Sequence, residues 1–183
     1  MKNSSDTHPM FNKEKNMKEK TLNFYKKAIR KGKIIKSVSA GPSMHPLIHE
    51  GDYLEEAFVP FEDINVGELI VFMNGEELWL HRVVKKKNKV LITCGDFNLG
   101  LDSPVTKKQF ISKILKINQL NINTKKWIFF GKIIALCSRI KISKKIFVAK
   151  LGIRKHDLFK FNPAAYFFHF LYRKKLSKQE VIS

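Results

Sequence analysis

Asn74-Gly75 separates two apolar runs, Glu68 to Met73 and Glu76 to Val84, and this juxtaposition constrains the fold more tightly than any other feature of the chain. Asn-Gly between apolar runs marks a tight β-hairpin, because both positions of the favoured two-residue loop take positive φ, which few side chains tolerate. The hairpin predicts that His81 lies on its second strand. Other short runs surround it: Tyr53 to Val59 after Gly51-Asp52, Val90 to Thr93 after a polar turn at Lys85 to Lys89, and Phe110 to Ile117. Residues 37–120 are therefore expected to be mainly β.

Outside this region the hydrophobic period lengthens. From Asn12 to Lys33, the residues Met17, Leu22, Tyr25, Ala28 and Ile29 recur at spacings of three to five between lysines, which predicts a basic amphipathic helix. Residues 1–11 have the composition of a turn or disordered segment. After Asn121, the stretches Trp127 to Ile140, Ile146 to Ile153 and Pro163 to Leu171 are apolar, aromatic-rich and punctuated by Lys and Arg, as in basic amphipathic helices. The reading is a basic N-terminal tail and helix (1–36), a catalytic β domain (37–120) and a basic, aromatic-rich helical extension (121–183). A chain of 183 residues supports one such domain with appendages.

Charge follows the same division. Residues 1–36 carry 11 Lys/Arg against 3 Asp/Glu, residues 37–120 carry 9 against 11, and residues 121–183 carry 15 against 2, so the net charge of +19 resides in the flanks. Basic flanks suit contact with a polyanion, either an anionic membrane surface or nucleic acid, the alternative being a solvated basic surface with no partner. No run reaches the ~18–20 apolar residues of a spanning helix, and Met1 to Lys20 lacks the apolar core of a secretory signal. A peripheral membrane or cytoplasmic location is expected. Cys94 and Cys137 stand far apart in unrelated contexts, and both are read as free thiols.

The chemistry-bearing residues lie in the middle region. In Gly41-Pro42-Ser43-Met44-His45-Pro46, two prolines are expected to hold an extended, stiff path that presents Ser43. A serine hydroxyl becomes a useful nucleophile when a base takes its proton, and histidine is neutral often enough at pH 7 to be that base. A carboxylate on the far ring nitrogen fixes the tautomer, and Asp96 and Asp102 both follow His81 closely enough to be candidates. The Ser43 N–H could serve the oxyanion, whereas Pro42 has none to offer. On an extended segment the side chains of Ser43 and His45 point apart, which disfavours His45 as base. His45 and His49 stand four apart, but nothing in the sequence supplies a third metal ligand beside them.

Five ordered elements carry a resemblance: Ser43-Met44-His45-Pro46, Gly51-Asp52, Gly67-Glu68-Leu69-Ile70-Val71-Phe72, His81-Arg82-Val83, and Gly95-Asp96-Phe97-Asn98 with Asp102. In this order and spacing, the region from Gly41 to Ile117 resembles the signal peptidase I family and the wider signal peptidase/LexA-like serine peptidases. Histidine before Arg-Val resembles the archaeal and endoplasmic-reticulum-type branch, where usual bacterial enzymes have lysine. The resemblance implies a mainly β catalytic domain, Ser43 as nucleophile, His81 as general base and Asp102 as the third member, with Asp96, Gly41, Met44 and Arg82 in support. It implies endopeptidase cleavage of a leader or signal segment beside small residues, in an extended peptide laid along a β edge, with no cofactor or metal. Met44, Leu69 and Val71 are expected as pocket walls. The alternatives are a non-catalytic LexA-like regulatory or binding module and an inactive membrane-surface relative. Residues 1–36 are too short for the helix-turn-helix domain of such regulators, and nucleic acid is not the expected partner.

Overall fold

The computed structural model describes residues 32–150, with side chains of the last helix described as far as residue 143, together with residues 23, 27–28, 163–167 and 169–170. The architecture is mainly β. Among the described residues eight strands form one antiparallel sheet: β1 (Ile35–Val38), β2 (Tyr53–Ala57), β3 (Leu69–Asn74), β4 (Glu77–Lys87), β5 (Val90–Cys94), β6 (Val105–Thr106), β7 (Phe110–Ile117) and β8 (Leu120–Asn121). The order across the sheet is β1-β2-β7-β3-β4-β5-β6, and β8 pairs with β7. The long helix α1 (Lys125–Lys150) follows and packs on β4.

The central strand β3 is buried on both faces, which is why its sequence reads as an unbroken apolar run. Alternation sends Leu69 and Val71 into a core with Met44, Leu47, Ile48, Leu54, Ile111, Ile114 and Ile117. Ile70 and Phe72 go to the opposite face, into a core with Phe61, Ile64, Val83, Leu91, Val105 and Phe110. Met44, Leu69 and Val71 are thus core residues, each at most 5% exposed, and of the three Leu69 also lines a pocket, shared with Gly67, Arg82 and Gly131.

The expected β3–β4 hairpin forms one residue out of the expected phase. Asn74 pairs with Glu77, so the loop is Gly75-Glu76, with Gly75 at φ 63 and Asn74 still in the strand. Glycine in the first loop position is the type II′ arrangement. Within the polar stretch Lys85 to Lys89 only Asn88 and Lys89 form the expected turn. β4 runs through Lys87, its lysines exposed and that of Lys86 donating to the Glu62 and Ile64 carbonyls, past an irregularity in the ladder between Val83 and Lys85, and the chain reverses at Asn88 with φ 52. The strand expected at Phe110 to Ile117 forms over those residues.

Trp127 to Ile140 and the start of Ile146 to Ile153 belong to one continuous helix, and the remainder of the second stretch lies outside the described residues. Residues 163–167 and 169–170 are helical, within the third expected helix. The predicted N-terminal helix falls almost wholly outside the described residues, of which 23 and 27–28 are helical. Among the described residues no helix is long and apolar enough to cross a membrane.

The helix meets the sheet where Gly131 lies against Gly67. A Cβ on Gly131 would run into the Gly67 carbonyl oxygen, and one on Gly67 would run into the backbone of Gly131 and Lys132. Gly131→Ala should gain helix propensity of about 1 kcal/mol, but that gain is outweighed by the backbone collision. The expected net result is destabilisation of about 1–3 kcal/mol, read from the midpoint of urea unfolding.

Candidate active site

Successive residues on β4 face opposite ways, so His81 and Arg82 serve two different sides of the sheet. His81 pairs with Ile70 and is 3% exposed. Its ring is bordered by Trp79, at 5.3 Å between centroids, and by Phe72, at 6.1 Å. Nδ1 of His81 lies 2.6 Å from Oδ2 of Asp102. The same carboxylate oxygen accepts a 2.7 Å hydrogen bond from the hydroxyl of Thr93, whose side chain is fully buried. Asp102 reaches this position because its N–H donates to the Thr93 carbonyl at 2.9 Å, folding the 95–102 loop back over β5.

On the other face, Arg82 donates from Nε to Oδ1 of Asp96 at 2.8 Å and from Nη2 to Oδ2 at 2.6 Å. Its Nη1 donates to the Gly67 carbonyl at 2.7 Å. The ammonium of Lys141 on α1 donates to the backbone carbonyl of Asp96 at 3.2 Å, and burial lowers the pKa of this lysine. The two candidate aspartates, of which the resemblance names Asp102 as the third member and Asp96 in support, lie apart. Asp102 meets His81, and Asp96 is committed to Arg82.

Ser43 is brought to this region through its backbone. Its carbonyl accepts the Phe97 N–H at 3.0 Å. The β4–β5 register, continued one step past the Arg82–Cys94 pair, sets Gly95 opposite His81. By strand alternation Gly95 faces the same way as Thr93, and a Cβ there would stand 2.6 Å from the Ser43 carbonyl oxygen. Glycine at this position is what admits the Ser43 segment to the His81 side of β5. Among the described residues the Ser43 hydroxyl makes no hydrogen bond.

The segment carrying Ser43 differs from the extended path expected from its prolines. It is a run of tight turns: the N–H of His45 donates to the Pro42 carbonyl at 3.0 Å, and those of Leu47 and Ile48 donate to the Met44 carbonyl at 3.1 and 3.2 Å. Gly41 opens the run at φ 78, and buried Met44, Leu47 and Ile48 pin it to the core. Asp52 closes the loop, accepting the His49 N–H at 2.7 Å and the Asn118 side-chain amide at 2.9 Å.

His45 and His49 pack edge to face with centroids 4.1 Å apart, and His49 also lies 5.1 Å from His169. Burial, with a further contribution from His49, holds the pKa of His45 below the usual imidazole range. Among the described residues no group of three or more His, Cys, Asp or Glu side chains is placed to hold a metal ion. Sequence reasoning missed Thr93 and Lys141. Thr93 was accessible in principle, because strand alternation puts it on the His81 face two residues before Gly95. Lys141 had no local signal.

Compared with known proteins, the chain matches no family model, no curated protein and no solved structure.

Two outcomes test this geometry. Asp96→Ala would leave the Arg82 guanidinium buried beside an empty site, and the loss of stability should be about 3–5 kcal/mol in urea unfolding. Cys94 and Cys137 are both free, and burial, followed by the charge of Asp102, pushes the Cys94 thiol up to about 12. Only the thiolate is reactive, so iodoacetamide at pH 8 should modify Cys137 in the folded protein and reach Cys94 only after denaturation, as read by peptide mass spectrometry.

Proposed function

We propose that this chain is a serine endopeptidase, with Ser43 as nucleophile, His81 as general base and acid, and Asp102 as the residue that orients His81. The observation that carries the reading is the 2.6 Å contact between His81 Nδ1 and Asp102 Oδ2, beside a glycine that admits the Ser43 backbone to the same face. With Nδ1 held by Asp102, the lone pair of His81 is on Nε2, the nitrogen that a serine proton needs. The Thr93 hydroxyl donates to the same carboxylate oxygen and helps to hold it in place.

In this mechanism the Ser43 hydroxyl proton passes to His81 Nε2 as Oγ bonds to the scissile carbonyl carbon. The resulting oxyanion is met by the Ser43 N–H, which donates to no group among the described residues. His81 then gives its proton to the leaving amine as the C–N bond breaks, leaving an acyl ester on Ser43. Water attacks the ester, His81 takes a proton from it, and collapse returns that proton to Ser43 as the acid product leaves.

The sheet supports an extended peptide as the substrate. At Arg82 β4 pairs with both β3 and β5, but from Glu77 to Leu80 it pairs with β3 alone among the described residues. An extended peptide could add to this edge by main-chain hydrogen bonds and run toward His81. We take the sheet with its following helix as a signal peptidase/LexA-type catalytic domain with basic helical flanks. The substrate is a precursor carrying a leader or signal segment, cut beside small residues, and the reaction needs no cofactor.

The test is cleavage of precursor peptides with small residues at the first and third positions before the cut, followed by mass spectrometry. Ser43→Ala and His81→Ala should each lower the rate by several orders of magnitude, and Asp102→Asn by about 10⁴-fold. Cleavage that survives Ser43→Ala unchanged would overturn the mechanism.

A further inference from the structure

The face of α1 turned away from the sheet combines two kinds of residue that a purely structural helix has no reason to combine. Gly131, Ile134, Ala135, Ser138, Lys141 and Ile142 are buried, and on the outward side Phe129, Leu136 and Ile140 are 60%, 53% and 47% exposed. Exposed Lys125, Lys126, Lys132 and Arg139 stand among them. The spacing of Phe129, Lys132, Leu136, Arg139 and Ile140 places them on one helical stripe. No Asp or Glu occurs between Asp102 and Asp157, so no acidic side chain of this stretch neutralises the stripe. Beside it, Ala165 packs on Ile134, and Phe167 and Phe170 are 57% and 62% exposed.

We propose that the outward face of α1 is a docking surface for an anionic lipid bilayer. Apolar side chains on a surface helix gain from entering the boundary between headgroups and acyl chains, while lysine and arginine beside them keep their charges among lipid phosphates. Charge decides the sign of the lipid, since the cations of the stripe, with no acidic residue of this stretch among them, have no complement in a neutral membrane. The apolar residues decide against nucleic acid, because phosphate contact gives Leu136 and Ile140 nothing to bury. A helix packed on a sheet has its outer face about one helix diameter, roughly 10 Å, from the strand beneath it. Docking would therefore hold β4, with His81 and the free edge at Glu77 to Leu80, close above the bilayer plane.

The experiment is flotation of the full chain with phosphatidylcholine vesicles, with and without phosphatidylglycerol, beside the peptide cleavage assay. Wild type should float with the anionic vesicles and not with the neutral ones. Changing Lys125, Lys126, Lys132 and Arg139 to Gln should weaken partition by about fivefold per charge removed. Leu136→Ser with Ile140→Ser should abolish flotation while leaving solution cleavage of short peptides at the wild-type rate. Failure of the wild type to float with anionic vesicles overturns the proposal. So does a concentration-dependent dimer abolished by Leu136→Ser, which would assign the face to a second copy, or tight duplex DNA binding without flotation. Docking is independent of the peptidase reading: flotation by a protein that cleaves nothing leaves the surface standing and removes only the enzyme.

Discussion

The Arg82–Asp96 pair is the interaction on which the arrangement of this molecule turns. One guanidinium binds both oxygens of a buried carboxylate and the carbonyl of Gly67, and the carbonyl of that same Asp96 receives the ammonium of Lys141. Four pieces of chain are thereby fixed against each other: β4, the turn after β5, the loop before β3, and α1. Such a pair contributes little net stability, because both charges had to leave water. Its effect is on specificity of arrangement, since no shifted register of β4 on β5 would leave both ions satisfied. The turn it fixes receives the Ser43 carbonyl, and the strand it fixes carries His81 as the next residue.

Strand alternation explains how two neighbouring residues can have such different duties. Arg82 spends its hydrogen bonds on one face to hold the frame. His81, turned the other way, meets Asp102 and Thr93 between aromatic neighbours. A one-residue slip of β4 would exchange the faces, burying an arginine beside Phe72 and sending the imidazole toward α1. The buried ion pair and the His81–Asp102 contact therefore enforce the same register from opposite sides.

What could be read from the sequence was what local physics controls. The apolar runs located most of the strands, since β3 must be buried on both faces and β7 packs over its whole length. Errors arose where a tertiary contact outweighed a local preference. The prolines around Ser43 suggested extension, but Met44, Leu47 and Ile48 draw the segment into tight turns against the core. The lysines from Lys85 to Lys87 suggested a turn, whereas polarity there reports solvent exposure on a strand that continues. The hairpin was legible in kind and wrong in phase, because Gly75 alone supplies the positive φ that was assigned to two residues. Distance from His81 along the chain does not by itself separate Asp96 from Asp102, and it is the family pattern that favours Asp102. Their separation depends on which face of β4 each meets, and that follows from a loop closed by the Asp102 N–H on the Thr93 carbonyl.

The helix and the site are coupled through backbone. Gly131 approaches Gly67 closely only because neither has a side chain, and the Gly67 carbonyl at that contact is the one Arg82 binds. Any tilt of α1 that opened this contact would move an acceptor of the guanidinium, and a shift along its axis would move Lys141 away from Asp96. The inner face of α1 thus helps to set the turn that receives Ser43, while its outer face carries the basic and apolar residues turned to the surroundings. A force applied to the outer face, by whatever binds there, reaches the candidate site through two hydrogen bonds and one close glycine contact.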